Sequence, residues 1–535
     1  MSSRRDPYSN PINVITTNVF TQNLQCCYDT SKIQSNVAIY VSSQTGDDTI
    51  NNGRTATSPV ATLSKAAEIL NRIQAWENEA TIYLMDTVVV SGSTNELTGG
   101  IYFRKPKIGK AQSVRIAGYQ PTTTSFLITG ISGYITPTNL TNYPIWVNYT
   151  VSSVMTAGVH ARKRFIITHP TTGLVVDTGV VYTNTTTGFQ MVNTPVANYT
   201  GYTLTIYEPG TGLQYPCLSL TGTSTSDMYF IDGDLPIIVS EVDVINDYAF
   251  FTSHVGGAEI TFKTVRWQVG SHAADAFVGS LTLTGSYVFA ETSGSSHAIK
   301  ANSIGQRLHF RGSWLHDVAI YMRPDAVTDN PTPECEVLMC LFDGNSASSF
   351  DGTGYVYQTA FLNGSTTESV QQGPGTFVFK QCGLSGMGVA PSAFTGYSGA
   401  RSIMLLNEFT DTLGGTSPII HIINSDIRFD GATFITTAQT LGAASNYLIV
   451  LEQGSYCEVS GTAVTGIMSF VDAGVGVAAI AELSIDSGSS ASMFSSIANF
   501  GAGPTQIDWI DGGGPAAFPV AAIWQQNGSC RVAAY

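Results

Sequence analysis

The sequence predicts an all-β protein: a long array of short strands, headed by one helix and interrupted by a module of different β character. Three observations predict it. One amphipathic helical pattern lies near the start. After it, short apolar runs alternate with Gly, Ser, Asn and Asp turns and no helical pattern returns, which excludes a βαβ fold and leaves a sandwich array or a solenoid. Between about 121 and 228 the composition shifts to Thr, Asn and Tyr, with strands at even, hairpin-length spacing.

The helical pattern sits in Tyr40–Trp76. Val37 to Val41 reads as a strand, and Gly46-Asp47-Asp48 to Asn51-Asn52-Gly53 reads as a turn rich in residues that tolerate positive φ. Ser58 or Thr62 can cap the helix, and Pro59 suits its first turn. Leu63, Ala66, Ala67, Leu70 and Ile73 then share one face.

Four regions follow from these patterns: a polar arm at 1–36, the cap and first coils at 37–120, an inserted β module at 121–228, and the main array at 229–535. In the insert, runs such as Arg164-Phe-Ile-Ile-Thr and Thr203-Leu-Thr-Ile-Tyr alternate as antiparallel strands of a β-sandwich or small barrel do. In the main array, units such as Ile422-Ile-Asn-Ser-Asp-Ile-Arg-Phe-Asp-Gly suit the rung of a β-helix, although no fixed period is visible.

Only 12% of residues are charged, about half the usual ~25%, so Ser, Thr, Asn, Gln and Gly must cover much of the surface. The net charge of −15 argues against nucleic acid and anionic membranes as partners, since both need a basic face. The run Arg162-Lys163-Arg164 reads as a solvated strand edge or loop, and Arg104, Lys105, Lys107 and Lys110 read as a second loop cluster. No apolar run has the length of a membrane span or a signal-peptide core, so the cytoplasm, or assembly into a particle inside a cell, is the expected location. The eight cysteines (Cys26, Cys27, Cys217, Cys335, Cys340, Cys382, Cys457 and Cys530) show no CxxC or zinc spacing, and mostly free, buried thiols are expected.

The order Tyr40-Val-Ser-Ser43, Gly46, Asp48, Asn51-x-Gly53, Ser58-Pro59 and Ala61-Thr-Leu63-x-Lys65-Ala66-x-x-Ile69-Leu70 resembles the start of right-handed parallel β-helix proteins of the pectate-lyase-like superfamily. It is most similar to the version in phage tailspikes and virus-encoded β-helix proteins. The resemblance covers about 35 residues and implies a right-handed parallel β-helix whose N-terminal end is capped by the helix. It also implies a virion protein and a homotrimer.

Polysaccharide-cleaving members of that fold use carboxylates on neighbouring rungs, roughly 5–10 Å apart. The candidates are Asp426 with Asp430, Asp343 with Asp351, Asp232 with Asp234, and Asp508 with Asp511. Asp426 and Asp430 have the even spacing that places both on one strand face. Asp343, Asp351, Asp430 and Asp511 each precede Gly, which is ordinary turn chemistry. The polygalacturonase pattern is absent, and Arg428 between Asp426 and Asp430 is the nearest imitation of a lyase site. His309 and His316 flank Trp314 without metal-ligand spacing, and no cofactor or metal motif is present. Asn139, Asn148, Asn184 and Asn198 lie in N-x-S/T sequons of the insert.

The sequence therefore points to a non-enzymatic structural or attachment protein of a virus particle, presenting a rigid β-helix and docked through its N-terminal arm to other virion proteins, with a host surface glycan as a further partner. The alternatives are a tailspike-type glycoside hydrolase or lyase using paired carboxylates, and a carbohydrate-binding module without turnover.

Overall fold

Three ladders of short parallel strands wind along one axis, and their inward side chains stack into one core. A computed structural model describes residues 36 to 534, except 74–75, 93–99, 107–110, 135–146, 193–197, 210–214, 223–227, 247–249, 252–258, 271–276, 292–296, 302–305, 323–333, 345–346, 364–369, 387–392, 398 and 412–419; beyond 430 it describes the strands by their backbone alone. The polar arm, Cys26 and Cys27 lie outside the described residues.

The first ladder starts at Val37–Val41 and passes through Asn78–Leu84, Ala111–Gly118, Ile237–Ser240, Ile260–Lys263 and on to Arg531–Ala534. A 12-stranded ladder starts at Thr87–Ser91 and Cys217–Thr221. The third starts at Met228–Tyr229 and Phe250–Phe251. Inside, Phe262, Leu283, Phe310, Val337, Val356 and Phe379 follow one another in register, one per rung, and all are buried. The chain is thus a parallel β-helix, with apolar residues facing inward at alternate positions. Among the described residues no helix is long and apolar enough to cross a membrane.

The cap explains the motif at its head. The Asp48 carboxylate accepts from the amides of Ala61 and Thr62, at 2.7 and 3.1 Å, and from the Thr62 hydroxyl. That hydroxyl accepts from Lys65 N, so Thr62 is the N-cap of the helix Leu63–Arg72. Gly46 is required by space: a Cβ there would lie 2.2 Å from the Val60 carbonyl oxygen. Leu63, Ala66, Ala67 and Leu70 close the first rung from above, packing into the same core as Ile39, Val41 and Trp76. The cap so covers an end that would otherwise expose apolar side chains.

One corner turns on a single residue per rung. Glu241, Thr264, Gly285, Gly312, Met339, Gln358, Gln381 and Leu406 all have φ between 45° and 59°. Each donates its amide to the next rung, as in Thr264 N to Thr284 O and Met339 N to Tyr357 O. Only two of the eight are glycine, so the ladder hydrogen bonds hold the others in a conformation that costs roughly 1–2 kcal/mol apiece. Beside them a polar residue often braces the corner: Ser286, Ser313, Thr359 and Asn407 each accept a backbone amide of the previous rung.

The insert leaves the stack without breaking it. Ile237–Ser240 pairs directly with Ala111–Gly118, and Cys217–Thr221 directly with Thr87–Ser91. Within the stretch 121–228, strands from Thr123–Tyr134 to Thr203–Tyr207 are antiparallel and close into a six-stranded barrel, whereas Cys217–Thr221 belongs to the stack. The barrel has a core of its own, with Phe126, Ile128, Tyr149, Phe165, Phe189 and Leu204 among its members. Register shifts at Ile128/Gly130 and Ile131/Gly133 bend its longest strand enough to close it.

Candidate binding groove between barrel and helix

The outward face of the 12-stranded ladder carries two columns of side chains. One runs Asp243, Arg266, Tyr287, Trp314, Leu341; its neighbour runs Gln268, Phe289, His316, Asp343. The barrel lies over part of the first column. Its Val180 and Val192 are buried, with Tyr182 beside them, against Tyr287, Trp314, Leu341 and Ala360.

Arg164 fixes the barrel there. Its side chain is 1% exposed. It donates to the carbonyls of Val242 at 2.7 Å and Thr264 at 3.0 Å, and pairs with Asp243 at 3.1 Å. Next to it the Thr178 and Thr264 hydroxyls meet at 3.0 Å, and Gly285 lies so close that a Cβ would be 2.3 Å from Thr178 Oγ1. The expectation of a solvated run at 162–164 is therefore corrected. Arg164 is interior, Lys163 pairs with Glu208, and Arg162 lies over Trp314 with its guanidinium carbon 5.5 Å from the ring centre. Three consecutive cations are held because each meets a different partner: Arg162 and Arg164 reach the stack, and Lys163 pairs within the barrel.

Between barrel and helix remains a cavity of about 260 Å³, lined by Arg162, Lys163, Tyr207, Arg266, Tyr287 and Phe289 among others. Tyr287 and Phe289, two apart on one strand, stack with centroids 5.1 Å apart. Arg266 packs on Phe289 at 4.6 Å and pairs with Asp243 at 3.3 Å. The Tyr287 hydroxyl has its pKa pushed up to about 12, chiefly by burial. The walls thus combine flat aromatic surface with guanidinium groups already held in place.

Further along the same columns, His316 stands between two carboxylates. Its Nδ1 is 2.8 Å from Asp343 Oδ1 and its Nε2 is 3.6 Å from Asp317 Oδ2. Trp314 Nε1 donates to the same Asp343 oxygen at 2.8 Å. The Asp343 hydrogen bond holds the imidazole pKa above its ordinary value, more than burial lowers it, and Asp317 adds to the rise. A histidine favoured as its cation in the folded state contributes stability that is complete below the unfolded pKa, near 6.5, and is lost as pH rises through the folded value. Relative to His316→Gln, the wild type is expected to lose thermal stability on going from pH 6 to pH 8; equal pH slopes for the two proteins would remove His316 from this role.

The structure separates the remaining candidates. Asp343 is at this groove, while Asp351 is buried at the corner joining the other two ladders. Asp426, Arg428 and Asp430 point outward from one strand of the first ladder, where with Arg401 they line a depression of about 280 Å³. Four residues of extended chain put Asp426 and Asp430 about 13 Å apart along the backbone, beyond the spacing of a glycosidase pair. Asp234 accepts from Tyr102 at 2.6 Å, and Asp232 accepts from the amide of Gly233. Arg104 and Lys105 are exposed, whereas Lys107 and Lys110, like the side chains of Asp508 and Asp511, lie outside the described residues. Of the sequons, Asn198 is exposed and Asn184 is buried. Cys217, Cys335, Cys340 and Cys382 are free and buried. Sequence reasoning missed Arg162, Arg266, Tyr287, Phe289 and Asp317. The only local signals were two outward-facing pairs at period two, Tyr287 with Phe289 and Trp314 with His316.

No family model matches the chain, and no curated protein matches it. Solved structures similar to it include two phage tailspikes. One is the gp54 tailspike of Acinetobacter baumannii bacteriophage AP22, solved in complex with A. baumannii capsular saccharide; it is 7% identical with a TM-score of 0.22, over 78% of this chain and 71% of that one. Another is the tailspike gp49 of Pseudomonas phage LKA1, 11% identical with a TM-score of 0.25, over 75% and 69% of the two chains.

Proposed function

We propose that this chain is an attachment protein of a virus particle, a rigid β-helix that binds a surface glycan of the host in the groove between barrel and stack. The observation that carries the reading is the groove itself. A stacked Tyr287–Phe289 pair and two ring-packed arginines face a cavity at a boundary fastened by the buried Arg164–Asp243 pair. Aromatic faces stack on the apolar faces of sugar rings, and a pre-set wall loses little entropy on binding. A surface poor in charge and rich in hydroxyl and amide groups suits a rod that works outside the cell. In this reading residues 1–36, ahead of the cap, dock to other virion proteins, and three copies pack their flat faces as a homotrimer.

A second reading, cleavage of the glycan, is favoured by one observation: Asp317 and Asp343, on neighbouring rungs, share His316. The test is incubation of the purified protein with host capsular or cell-wall polysaccharide, with binding and new reducing ends or unsaturated products followed together. Retention weakened by Phe289→Ala at unchanged thermal stability, with no product, supports attachment. Product that disappears in Asp343→Asn supports the enzyme, and neither binding nor product from any such glycan overturns both.

A further inference from the structure

We infer that the groove selects acidic saccharides, taking a sugar carboxylate between Arg162 and Arg266. The inference rests on the glycan reading and names the class of glycan. Arg266, Tyr287 and Trp314 occupy successive rungs of one column, ~4.8 Å apart. Arg266 is at one end of this trio and Arg162, arriving from the barrel, lies over Trp314 at the other. Arg162 therefore reaches Tyr287 from the barrel and Arg266 stands one rung before it, and both border the same cavity of about 260 Å³.

Charge favours an anion here although the whole chain carries −15. Arg162, Lys163, Arg164 and Arg266 border the cavity, whose lining contains no carboxylate among the described residues. Behind the lining, Glu208 answers Lys163, and Asp243 answers both Arg164 and Arg266. Arg162 makes no ion pair among the described residues. Its guanidinium lies against Trp314 and hydrogen-bonds the Tyr287 hydroxyl, and a planar guanidinium carries further N–H groups with which to take a carboxylate.

The backbone also fixes how Arg162 is presented. Arg162 has φ 63°, a left-handed conformation unusual for a long side chain. Arg162 N donates to Val181 O, and Val181 N donates to Lys163 O, so barrel pairing holds the strained residue in place. Strain of this kind collects where a side chain must be presented in one direction. Glycine adopts this conformation without strain, so Arg162→Gly removes the side chain at no backbone cost.

The experiment uses the full chain and two probes, trigalacturonate and maltotriose, titrated calorimetrically in low salt. Trigalacturonate should bind at least about tenfold more tightly, the effect of one good charge-assisted contact, and raising salt to 0.5 M should erode the difference. Arg162→Gly should unfold no earlier than wild type yet lose the preference. Should that variant not fold, Arg266→Lys carries the same expectation, since it keeps the charge against Asp243 and loses the fork. Equal binding of both probes, or a preference that survives Arg162→Gly, overturns the acidic selectivity and leaves the glycan reading standing. Binding of neither probe at millimolar concentration overturns the inference and counts against the groove as a glycan site.

Discussion

Arg164→Ala is expected to cost about 3–5 kcal/mol and to loosen the barrel from the stack. That is the usual penalty for removing one partner of a buried ion pair, because the other charge stays behind in low dielectric. Here Asp243 would remain, its side chain 6% exposed, with Arg266 as its other cation at 3.3 Å. The carbonyls of Val242 and Thr264 would lose a charged donor as well. Arg164→Met, which fills the volume, should recover the packing part of the loss and none of the hydrogen bonding. Because barrel and stack have separate cores, unfolding must be followed by two probes, and the barrel is expected to melt first in the variant. Since Arg162 and Lys163 are the next residues on the same segment, ligand binding should fall together with stability. A cost under 1 kcal/mol, with both probes still coincident, would show that the apolar contact of Val180, Val192 and Trp314 suffices to hold the barrel.

How much of this was readable beforehand depended on how far apart the interacting residues lie. The cap was legible because its contacts are local: Asp48 reaches Ala61 and Thr62, and Thr62 reaches Lys65. The barrel was legible because antiparallel neighbours alternate over hairpin-length gaps. The rungs hid their repeat for two physical reasons. Their length varies, so equivalent corner contacts span 19 residues between Cys340 and Thr359 but 27 between Ser286 and Ser313. Their corners also use left-handed Glu241, Thr264, Met339, Gln358, Gln381 and Leu406, where turn chemistry would look for Gly or Asn. The groove was invisible for a stronger reason. Arg162 and Arg266 meet only because an inserted barrel folds back on the stack, and nothing local to Arg162-Lys163-Arg164 says which of the three is interior. The outward alternation of Asp426, Arg428 and Asp430 was readable from spacing, but their distance along the strand takes away the chemistry that the spacing suggested.

Gly375→Ala is expected to be among the most damaging single-methyl changes in the chain. The strands Ser348–Tyr357 and Val370–Lys380 run without a break from the third ladder into the first, so each must bend in the middle. The bend falls at Gly352 and Gly375, which are paired in register and have φ of 110° and 125°. Few side chains tolerate that region at all. Space is tighter still: a Cβ on Gly375 would lie 1.9 Å from the Gly352 carbonyl oxygen, a backbone atom that cannot swing aside. Relief would require the two rungs to separate, which breaks ladder bonds on both sides of the corner and opens the core around Phe377 and Phe379. A loss of several kcal/mol follows, each broken backbone bond exposing groups worth about 1–3 kcal/mol when left unpaired. Gly399 is the internal control. It sits on the next rung, accepts the Gly375 amide at 3.3 Å and has φ 82°, but its nearest neighbour to a new Cβ is 3.8 Å away. Gly399→Ala carries only the conformational cost, about 1–2 kcal/mol. Chemical denaturation of the two variants side by side separates the causes. If they lose the same stability, the left-handed backbone alone sets the cost of this corner and close contact between rungs contributes nothing; a Gly375 penalty at least twice that of Gly399 assigns the difference to contact between the stacked rungs.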